Sequence, residues 1–315
     1  MGASGTIGQA TARALLEQGF ELSCAMRGSA QALPADIQAA ARRITYDFHQ
    51  SESEPRTLFA NNPVDVVMSC MASRTGDPTD AWAVDYRAHS QLLKAAAKAG
   101  VKHFVLLSAI CVQKPKLAFQ HAKLAFEHEL QGSGLRYSIV RPTAYFKSLS
   151  GQVQRVMQGR AYVLFGDGQA TACKPISNRD LANYLVGCID DEARWNTVLP
   201  IGGPGPAMTP KQLGEQLFAL CGQPPRFRSV SPGVLLGIAR LLAMLSRLIP
   251  RLGAKAELAR IGHYYATESM LVWDERVQSY DAAATPSTGQ DRLIDYFAEL
   301  LAADGHVDRG AHRVF

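Results

Sequence analysis

Short hydrophobic runs alternate with amphipathic segments along the first half of the chain. The runs are apolar almost throughout, whereas the segments between them repeat their apolar residues every three or four positions. This alternation predicts an α/β fold, a doubly wound parallel sheet covered by helices on both faces. The predicted strands are 20–26, 44–47, 64–70, 103–107 and 135–140, and the predicted helices are 6–18, 35–42, 80–99 and 117–131.

Three glycines spaced three apart, Gly2, Gly5 and Gly8, stand at the start of the first predicted helix. Glycine lets the backbone approach a ligand closely, and a helix N-terminus carries a partial positive charge, so such a loop is suited to binding phosphate. The residues predicted to line this part of a dinucleotide site are Gly2, Ser4, Gly5, Thr6 and Ile7.

A glycine loop of this kind normally follows a buried strand, and this chain starts at the loop itself. We therefore expect a Val/Ile/Leu-rich strand of about five residues ahead of Met1, which would make Met1 an internal methionine or a misassigned start. Without that strand the sheet would lose several buried apolar side chains, each worth about 1.5–3 kcal/mol.

Polar or small residues follow most of the predicted strands. Ligands bind parallel sheets at the carboxyl ends of the strands, so these residues are candidate cofactor contacts. Arg27, with Ser29, favours the 2′-phosphate of NADPH, whereas NAD would call for an acidic residue there. Asp47 lies where the adenine ring usually rests, although it is equally consistent with a plain turn. The other candidates are Ser69, Ala72, Ser108, Pro142 and Thr143.

Lys123 is the candidate catalytic residue. Short-chain reductases on this fold usually carry a tyrosine and a lysine four residues apart on one helix, both directed at the nicotinamide. The tyrosine protonates an oxygen, and the lysine lowers the tyrosine pKa and holds the cofactor ribose. Here Phe119 stands four residues before Lys123. The missing phenol argues against alcohol–ketone chemistry and favours hydride transfer to carbon, although Lys123 is also consistent with a plain surface lysine.

Six strings of the chain are long and unusual, and they lie at 107–115, 119–123, 138–149, 162–168, 173–177 and 266–271. They are similar to the divinyl chlorophyllide 8-vinyl-reductase family, and the similarity covers nearly the whole chain. This resemblance implies an atypical, NmrA-like short-chain reductase with a Rossmann-like fold, which uses NADPH to reduce the 8-vinyl group of a chlorophyll precursor to ethyl. Hydride addition to a vinyl group spreads charge into the tetrapyrrole, so no oxygen needs a proton. The adjacent carbon would take its proton from Lys123, another polar group or water.

The segment 233–249 is apolar on nearly every side. Its length of 17 and the charges of Arg240 and Arg247 argue against a membrane-crossing helix. It is consistent with a buried core helix, with a helix lining a pocket for a large apolar ligand, or with a helix lying in the membrane surface. Under the family resemblance the pocket would hold the pigment ring. The candidates for pairing its carboxylate are Lys114, Lys147 and Lys174.

Composition and charge limit the class of protein. The chain is 47% hydrophobic and 19% charged, as expected for a full core. The net charge of +5 is spread along the chain, which disfavours nucleic acid and suits an anionic cofactor or substrate. The six cysteines lack CxxC spacing, the eight histidines are scattered, and no secretory signal pattern is present. We therefore predict no metal site and a cytoplasmic location, with peripheral contact to the photosynthetic membrane.

The predicted organisation is an NADP-binding domain at 1–150, a mostly helical substrate region at 151–302 and a tail at 303–315. Three other functions remain open at this level. The chain could be an NmrA-like or isoflavone-reductase-like enzyme for a smaller conjugated substrate. It could be a redox sensor that binds NADP(H) without turnover, or an assembly factor that holds pigment or protein. Phe119 is compatible with the sensor.

Overall fold

Strands and helices alternate along most of the chain. The computed structural model describes residues 1–27, 33–46, 58–59, 63–74, 77–249 and 251–303. The strands are β1 (Ser23–Met26), β2 (Arg42–Thr45), β3 (Val66–Ser69), β4 (His103–Leu107), β5 (Arg136–Pro142), β6 (Tyr162–Phe165), β7 (Thr197–Ile201), β8 (Phe227–Val230), β9 (Val272–Asp274) and β10 (Ser279–Asp281).

The helices lie between these strands and extend beyond them. They are α1 (Thr6–Glu17), α2 (Ala35–Ala40), α3 (Pro78–Ala81), α4 (His89–Lys98), α5 (Ala118–Gln131), α6 (Phe146–Leu149), α7 (Val153–Met157), α8 (Asn178–Gly187), α9 (Pro210–Leu220), α10 (Pro232–Leu245), α11 (Leu252–Thr267) and α12 (Leu293–Ala302). A π-helical segment, Trp82–Ala88, joins α3 to α4. The helix predicted at 80–99 is thus a composite of three parts.

The main sheet has the strand order β3–β4–β5–β7, and all its pairs are parallel. Side chains of a strand alternate between the two faces of the sheet. In β4, Phe104 packs in the core beneath α4 and α5, whereas Val105 packs in the core beneath α8. Helix α1 lies beside α8, where Ala14 meets the cluster of Val186. Both faces are covered, so the predicted doubly wound arrangement is confirmed for this sheet.

A second parallel pair, β1–β2, packs into the same core. Ala25 of β1 shares a buried cluster with Val67 of β3. The prediction placed the strand after α2 at 44–47, but β2 begins at Arg42 because its backbone pairs with Ser23 of β1. Beside β3, Met1 donates its amino group to the Met68 carbonyl at 2.8 Å, which anchors the glycine loop at this edge.

The chain after β5 first adds a strand to the main sheet and then forms a second hydrophobic core. Strand β7 pairs with β5, and α8 packs against α1, so residues on both sides of position 150 contribute to the main sheet and its covering helices. A separate hydrophobic cluster then joins α9 to α12 through Leu217 and Phe297. The predicted helical C-terminal region is present, with the short ladders β6–β8 and β9–β10 added to it.

Helix α10 lies on the surface. Of its residues only Ala239 is buried, whereas Leu241 is 54% exposed and Leu248, just beyond the helix, is 84% exposed. The interpretation of 233–249 as a buried core helix is therefore wrong, because α10 packs against α11 while much of its apolar surface stays exposed. Within the described ranges, no helix combines the length and apolarity that crossing a bilayer requires.

Candidate active site

The glycine loop is packed too tightly to accept side chains at two of its positions. Gly2 has φ of +75°, and a Cβ there would lie 2.7 Å from the Cys70 carbonyl carbon at the end of β3. A Cβ on Gly8 would lie 2.1 Å from the Gly2 oxygen. Gly5 is less restricted, since its Cβ would meet that oxygen at 3.4 Å. The sequence spacing therefore corresponds to a backbone turn that only glycine can form.

The N-terminus of α1 is open to an anion. Gly5 caps the helix without a side-chain hydrogen bond, and no acidic residue lies in the first turn. The Lys147 ammonium lies 3.3 Å from the Thr6 hydroxyl and adds positive charge beside this end. The Ser4 carbonyl accepts from Gln9, and Ile7 packs inward with the β3–β5 core. The uncapped amides and the closely packed glycines fit the pyrophosphate of a dinucleotide.

Arg27 follows β1 directly and is exposed at its carboxyl end. This is the position from which a side chain can reach an adenosine ribose in a dinucleotide fold. Ser29 and Asp47, the other residues predicted near the ribose and adenine, lie outside the described residues.

The side chain of Ser69, at the end of β3, points into the protein interior. Its side chain is buried, and its hydroxyl lies 2.8 Å from His89 Nε2. His89 Nδ1 lies 2.8 Å from the Val84 carbonyl, which can only accept, so Nδ1 carries the proton and Nε2 accepts from Ser69. Burial, and then the nearby Lys123, lowers the pKa of His89 to about 4. His89 is therefore neutral and holds Ser69 away from the ligand side.

Ser108 and Thr143 are directed inward in the same way. Ser108 donates to the buried Glu127, which also binds Arg141. Thr143 donates its hydroxyl to the Lys174 carbonyl. The hydroxyls of Ser69, Ser108 and Thr143 are thus occupied by protein groups, and these residues stay predicted cofactor contacts through their position at the strand ends. Pro142 is buried beside Ile201, whereas Ala72 is exposed in the loop after β3.

Lys123 forms a buried ion pair that the sequence did not reveal. Its ammonium lies 3.0 Å from Asp85 Oδ1, and the side chains are 11% and 0% exposed. Asp85 also accepts from the Ser73 hydroxyl at 2.6 Å and from the Ser73 amide. One carboxylate thus ties Lys123 to the loop that follows β3, which fixes the ammonium near the ends of the central strands.

Asp85 sits on the π-helical segment between α3 and α4. Single π-helical turns in longer helices are frequent at functional sites. The sequence contains one clue to this ion pair. Asp85 is an acidic residue among alanines and leucines on the inward face of the helix predicted at 80–99. An unpaired buried carboxylate is costly, so a charge on an apolar face implies a partner elsewhere.

The three lysines predicted as carboxylate partners have different surroundings. Lys174 donates to the Thr285 carbonyl at 2.7 Å, so it is engaged in holding the chain. Lys147 faces Thr6, on the glycine-loop side. Lys114 pairs with Glu268 at 2.9 Å and lies 3.7 Å above the Trp273 ring.

Glu268 joins distant parts of the chain. It accepts from Lys114, from Lys116 and from the Tyr280 hydroxyl, the last at 2.5 Å. Burial would raise the pKa of Glu268, but the hydrogen bonds from these cations and the phenol lower it to about 2. The carboxylate therefore fastens the end of α11 to the segment that follows β4.

Comparison with known proteins agrees with this geometry. A family model described as NAD(P)H-binding matches residues 2–192. The chloroplastic divinyl chlorophyllide a 8-vinyl-reductase of Cucumis sativus is 44% identical over 96% of this chain and 75% of its own length. The protein of the same name from Arabidopsis thaliana is 51% identical over 76% of this chain and 58% of its own length.

A solved structure supports the fold. A putative epimerase from Burkholderia cenocepacia matches with a TM-score of 0.68 and 15% identity, over 96% of each chain. The Rossmann-like α/β fold and the NAD(P)H-binding region expected from the sequence are thereby confirmed. The identity to the reductases over most of the chain confirms the family resemblance as well, and the chain belongs to the divinyl chlorophyllide a 8-vinyl-reductase family.

Proposed function

We propose that this chain reduces the 8-vinyl group of a divinyl chlorophyll precursor, divinyl chlorophyllide or protochlorophyllide, to ethyl. The observation that carries the proposal is a lysine held at the strand ends by Asp85, with Phe119 where a carbonyl reductase would carry its acid. Such a site lacks the phenol that protonates an oxygen, but a conjugated C=C bond has no oxygen to protonate. The names of the relatives point to the same substrate.

NADPH supplies the hydride when it is bound. The amides at the start of α1 hold its pyrophosphate, and Gly2 and Gly8 keep the backbone close enough to do so. Lys123, held by Asp85, orients the nicotinamide ribose. Lys123→Ala, assayed at saturating NADPH, should lose most of its turnover. Near-normal turnover would contradict this role.

Arg27 selects NADPH over NADH. Its guanidinium at the end of β1 can pair with the 2′-phosphate, which NADH lacks. In Arg27→Ala we expect the Kd of NADPH to rise about tenfold, equivalent to about 1.4 kcal/mol, while the Kd of NADH stays unchanged. Lys98→Ala removes an exposed positive charge at the far end of α4 and is the matched control. Equal changes for both cofactors would refute the assignment.

The surface of α10 contacts an anionic lipid bilayer, which would make the protein peripheral at the photosynthetic membrane. Ile238, Leu241 and Leu248 are exposed along one stripe, and Arg240 and Arg247 are exposed beside them. The sequence from 231 to 256 contains no acidic residue. An apolar stripe flanked only by cations is the pattern of a helix that lies in a negatively charged interface.

Vesicle sedimentation tests this surface. Wild-type protein should sediment with vesicles that contain phosphatidylglycerol and not with neutral phosphatidylcholine vesicles. Leu241→Asp should abolish sedimentation, whereas Val277→Asp, at an exposed valine elsewhere, should not. Unchanged sedimentation of Leu241→Asp with weakened pigment binding would assign the stripe to the substrate instead.

The main experiment mixes protein, NADPH and divinyl chlorophyllide and follows the Soret band. A blue shift that consumes NADPH is the expected result. Binding of both ligands without a shift would refute the reductase and favour a sensor or a pigment carrier. Protochlorophyllide in a parallel cuvette compares the two candidate substrates directly.

A further inference from the structure

Two adjacent tyrosines of α11 pack close to the residues that follow β4. Tyr264 and Tyr265 belong to a cluster with Cys111, Ala109 and Phe119, and their rings are perpendicular at 5.6 Å. Helix α11 lies far along the chain from Lys123. Tyr264 and Tyr265 nevertheless bring phenol groups close to Phe119, which has no hydroxyl of its own.

Tyr264 is committed to structure. It is buried, and its hydroxyl lies 3.0 Å from the Cys111 carbonyl and 3.2 Å from the Lys114 carbonyl, both acceptors. These bonds fasten α11 to the turn that follows β4. Tyr264 thereby sets the position of its neighbour Tyr265.

Tyr265 is only half-buried and packs in this cluster with Cys111 and Phe119. Cys111 comes three residues after Ser108, and Phe119 lies one helical turn before Lys123 on α5. The Tyr265 ring therefore lies near the end of β4, beside the turn of α5 that carries Phe119 and leads to Lys123. Burial, then Cys111 and the two neighbouring tyrosines, raises the pKa of Tyr265 well above its usual value, so the phenol stays protonated.

We propose that Tyr265 is the proton donor of the vinyl reduction, an inference that rests on the proposed function. Hydride from NADPH adds to the terminal vinyl carbon, and the π-electron pair moves into the macrocycle. The Tyr265 O–H bond then breaks, its proton bonds to the adjacent carbon, and a phenolate remains. Water returns a proton to the phenolate. The overall step consumes one NADPH and one proton and yields NADP⁺ and the ethyl group.

Tyr145 is the other phenol near this edge, and its surroundings differ. It packs with Ile7 and Cys70, on the side of the glycine loop. That position is on the dinucleotide side of the site, whereas Tyr265 shares its cluster with Phe119. Tyr145→Phe is therefore the comparison variant.

The test compares Tyr265→Phe, Tyr145→Phe and Tyr264→Phe with wild type, using NADPH and divinyl chlorophyllide. We expect kcat of Tyr265→Phe to fall about 100-fold or more, the usual effect of losing a general acid, while the Kd values of NADPH and pigment change less than about threefold. Tyr264→Phe should lose stability in urea, and its kcat should fall much less than that of Tyr265→Phe. In D₂O the wild type should deuterate one face of the carbon next to the ring, and residual turnover by Tyr265→Phe should deuterate both faces.

The outcomes separate the two proposals. Wild-type protein that binds both ligands without reducing the pigment refutes the proposed function itself. Active wild type with a Tyr265→Phe variant of near-normal kcat and one-faced deuteration overturns the role of Tyr265, as does a loss confined to Tyr145→Phe. If Tyr265→Phe unfolds, 3-fluorotyrosine at position 265 keeps the packing and makes the phenol more acidic. An unchanged single-turnover rate and solvent isotope effect would then overturn the proposal.

Discussion

Replacing Asp85 by Asn isolates the charge that holds Lys123. The Asp85 side chain has no exposed surface, and its Oδ1 lies 3.0 Å from the Lys123 ammonium. Asn keeps the volume and an oxygen that can accept from the Ser73 hydroxyl, now 2.6 Å from Asp85. The substitution therefore removes the negative charge without opening a cavity.

The expected loss of stability in Asp85→Asn follows from the burial of the Asp85–Lys123 ion pair. Removing one partner of a buried ion pair costs about 3–5 kcal/mol, because the other charge is left uncompensated. Lys123 keeps 11% of its side chain exposed, so the pair is not completely desolvated. We therefore expect the lower end, about 3 kcal/mol. Adding Lys123→Met should recover about 2 kcal/mol of it, because no lone buried charge remains.

Urea unfolding at neutral pH, followed by circular dichroism, measures both variants, and an unchanged m-value shows that the unfolded reference is comparable. NADPH fluorescence reports cofactor affinity, which should fall in Asp85→Asn because Lys123 is no longer held. The reasoning is refuted if Asp85→Asn unfolds within about 1 kcal/mol of wild type, well below the expected range. A double variant less stable than Asp85→Asn would refute it equally.

Three further predictions concern the loop, a histidine and a carboxylate. Gly8→Ala should weaken NADPH binding about tenfold or more in a titration, because its Cβ would lie 2.1 Å from the Gly2 oxygen; Gly5→Ala, the control with a 3.4 Å contact, should bind nearly normally. His89 has its pKa lowered to about 4 by burial, so the folded state binds fewer protons than the unfolded state, and stability falls as pH drops from 6.5 toward 4. His89→Asn should reduce the loss measured between pH 7 and pH 4.5 by about 2 kcal/mol, and an unchanged pH slope would contradict this. Glu268 has its pKa lowered to about 2, so its stabilisation is present above its ordinary pKa and is lost as pH falls toward 2. Glu268→Gln should cost about 1–2 kcal/mol at neutral pH after allowance for solvent screening, and a urea midpoint equal to wild type would rule this out.

Much of the sheet could be predicted from the sequence because its signals are local. The continuous apolar run of β4 appears at the predicted residues, since burial on both faces is encoded within a few positions. The start of β2 could not be predicted in this way. Arg42 and Arg43 carry no apolar signal, and their strand forms because β1 offers a parallel partner.

The candidate site, like the sheet, could be predicted only in part from the sequence. The spacing of the glycines indicated the phosphate loop. Lys123, with Phe119 four residues before it, indicated a reductase that lacks the usual tyrosine acid. The directions of Ser69, Ser108 and Thr143 were not predictable, because each depends on which buried acceptor the fold brings within reach.

The sequence by itself determined the order of strands and helices, the turn that only glycine can form and the family to which the chain belongs. These features depend on residue type and short spacing, which the unfolded chain already carries. The tertiary structure alone decided that Asp85 pairs with Lys123, that Tyr265 packs in the cluster of Cys111 and that the apolar stripe of α10 stays exposed. Each of these depends on contacts between segments far apart in the chain. A buried charge or hydroxyl bonds to whichever partner the packed layers bring to it, and no local pattern encodes that choice.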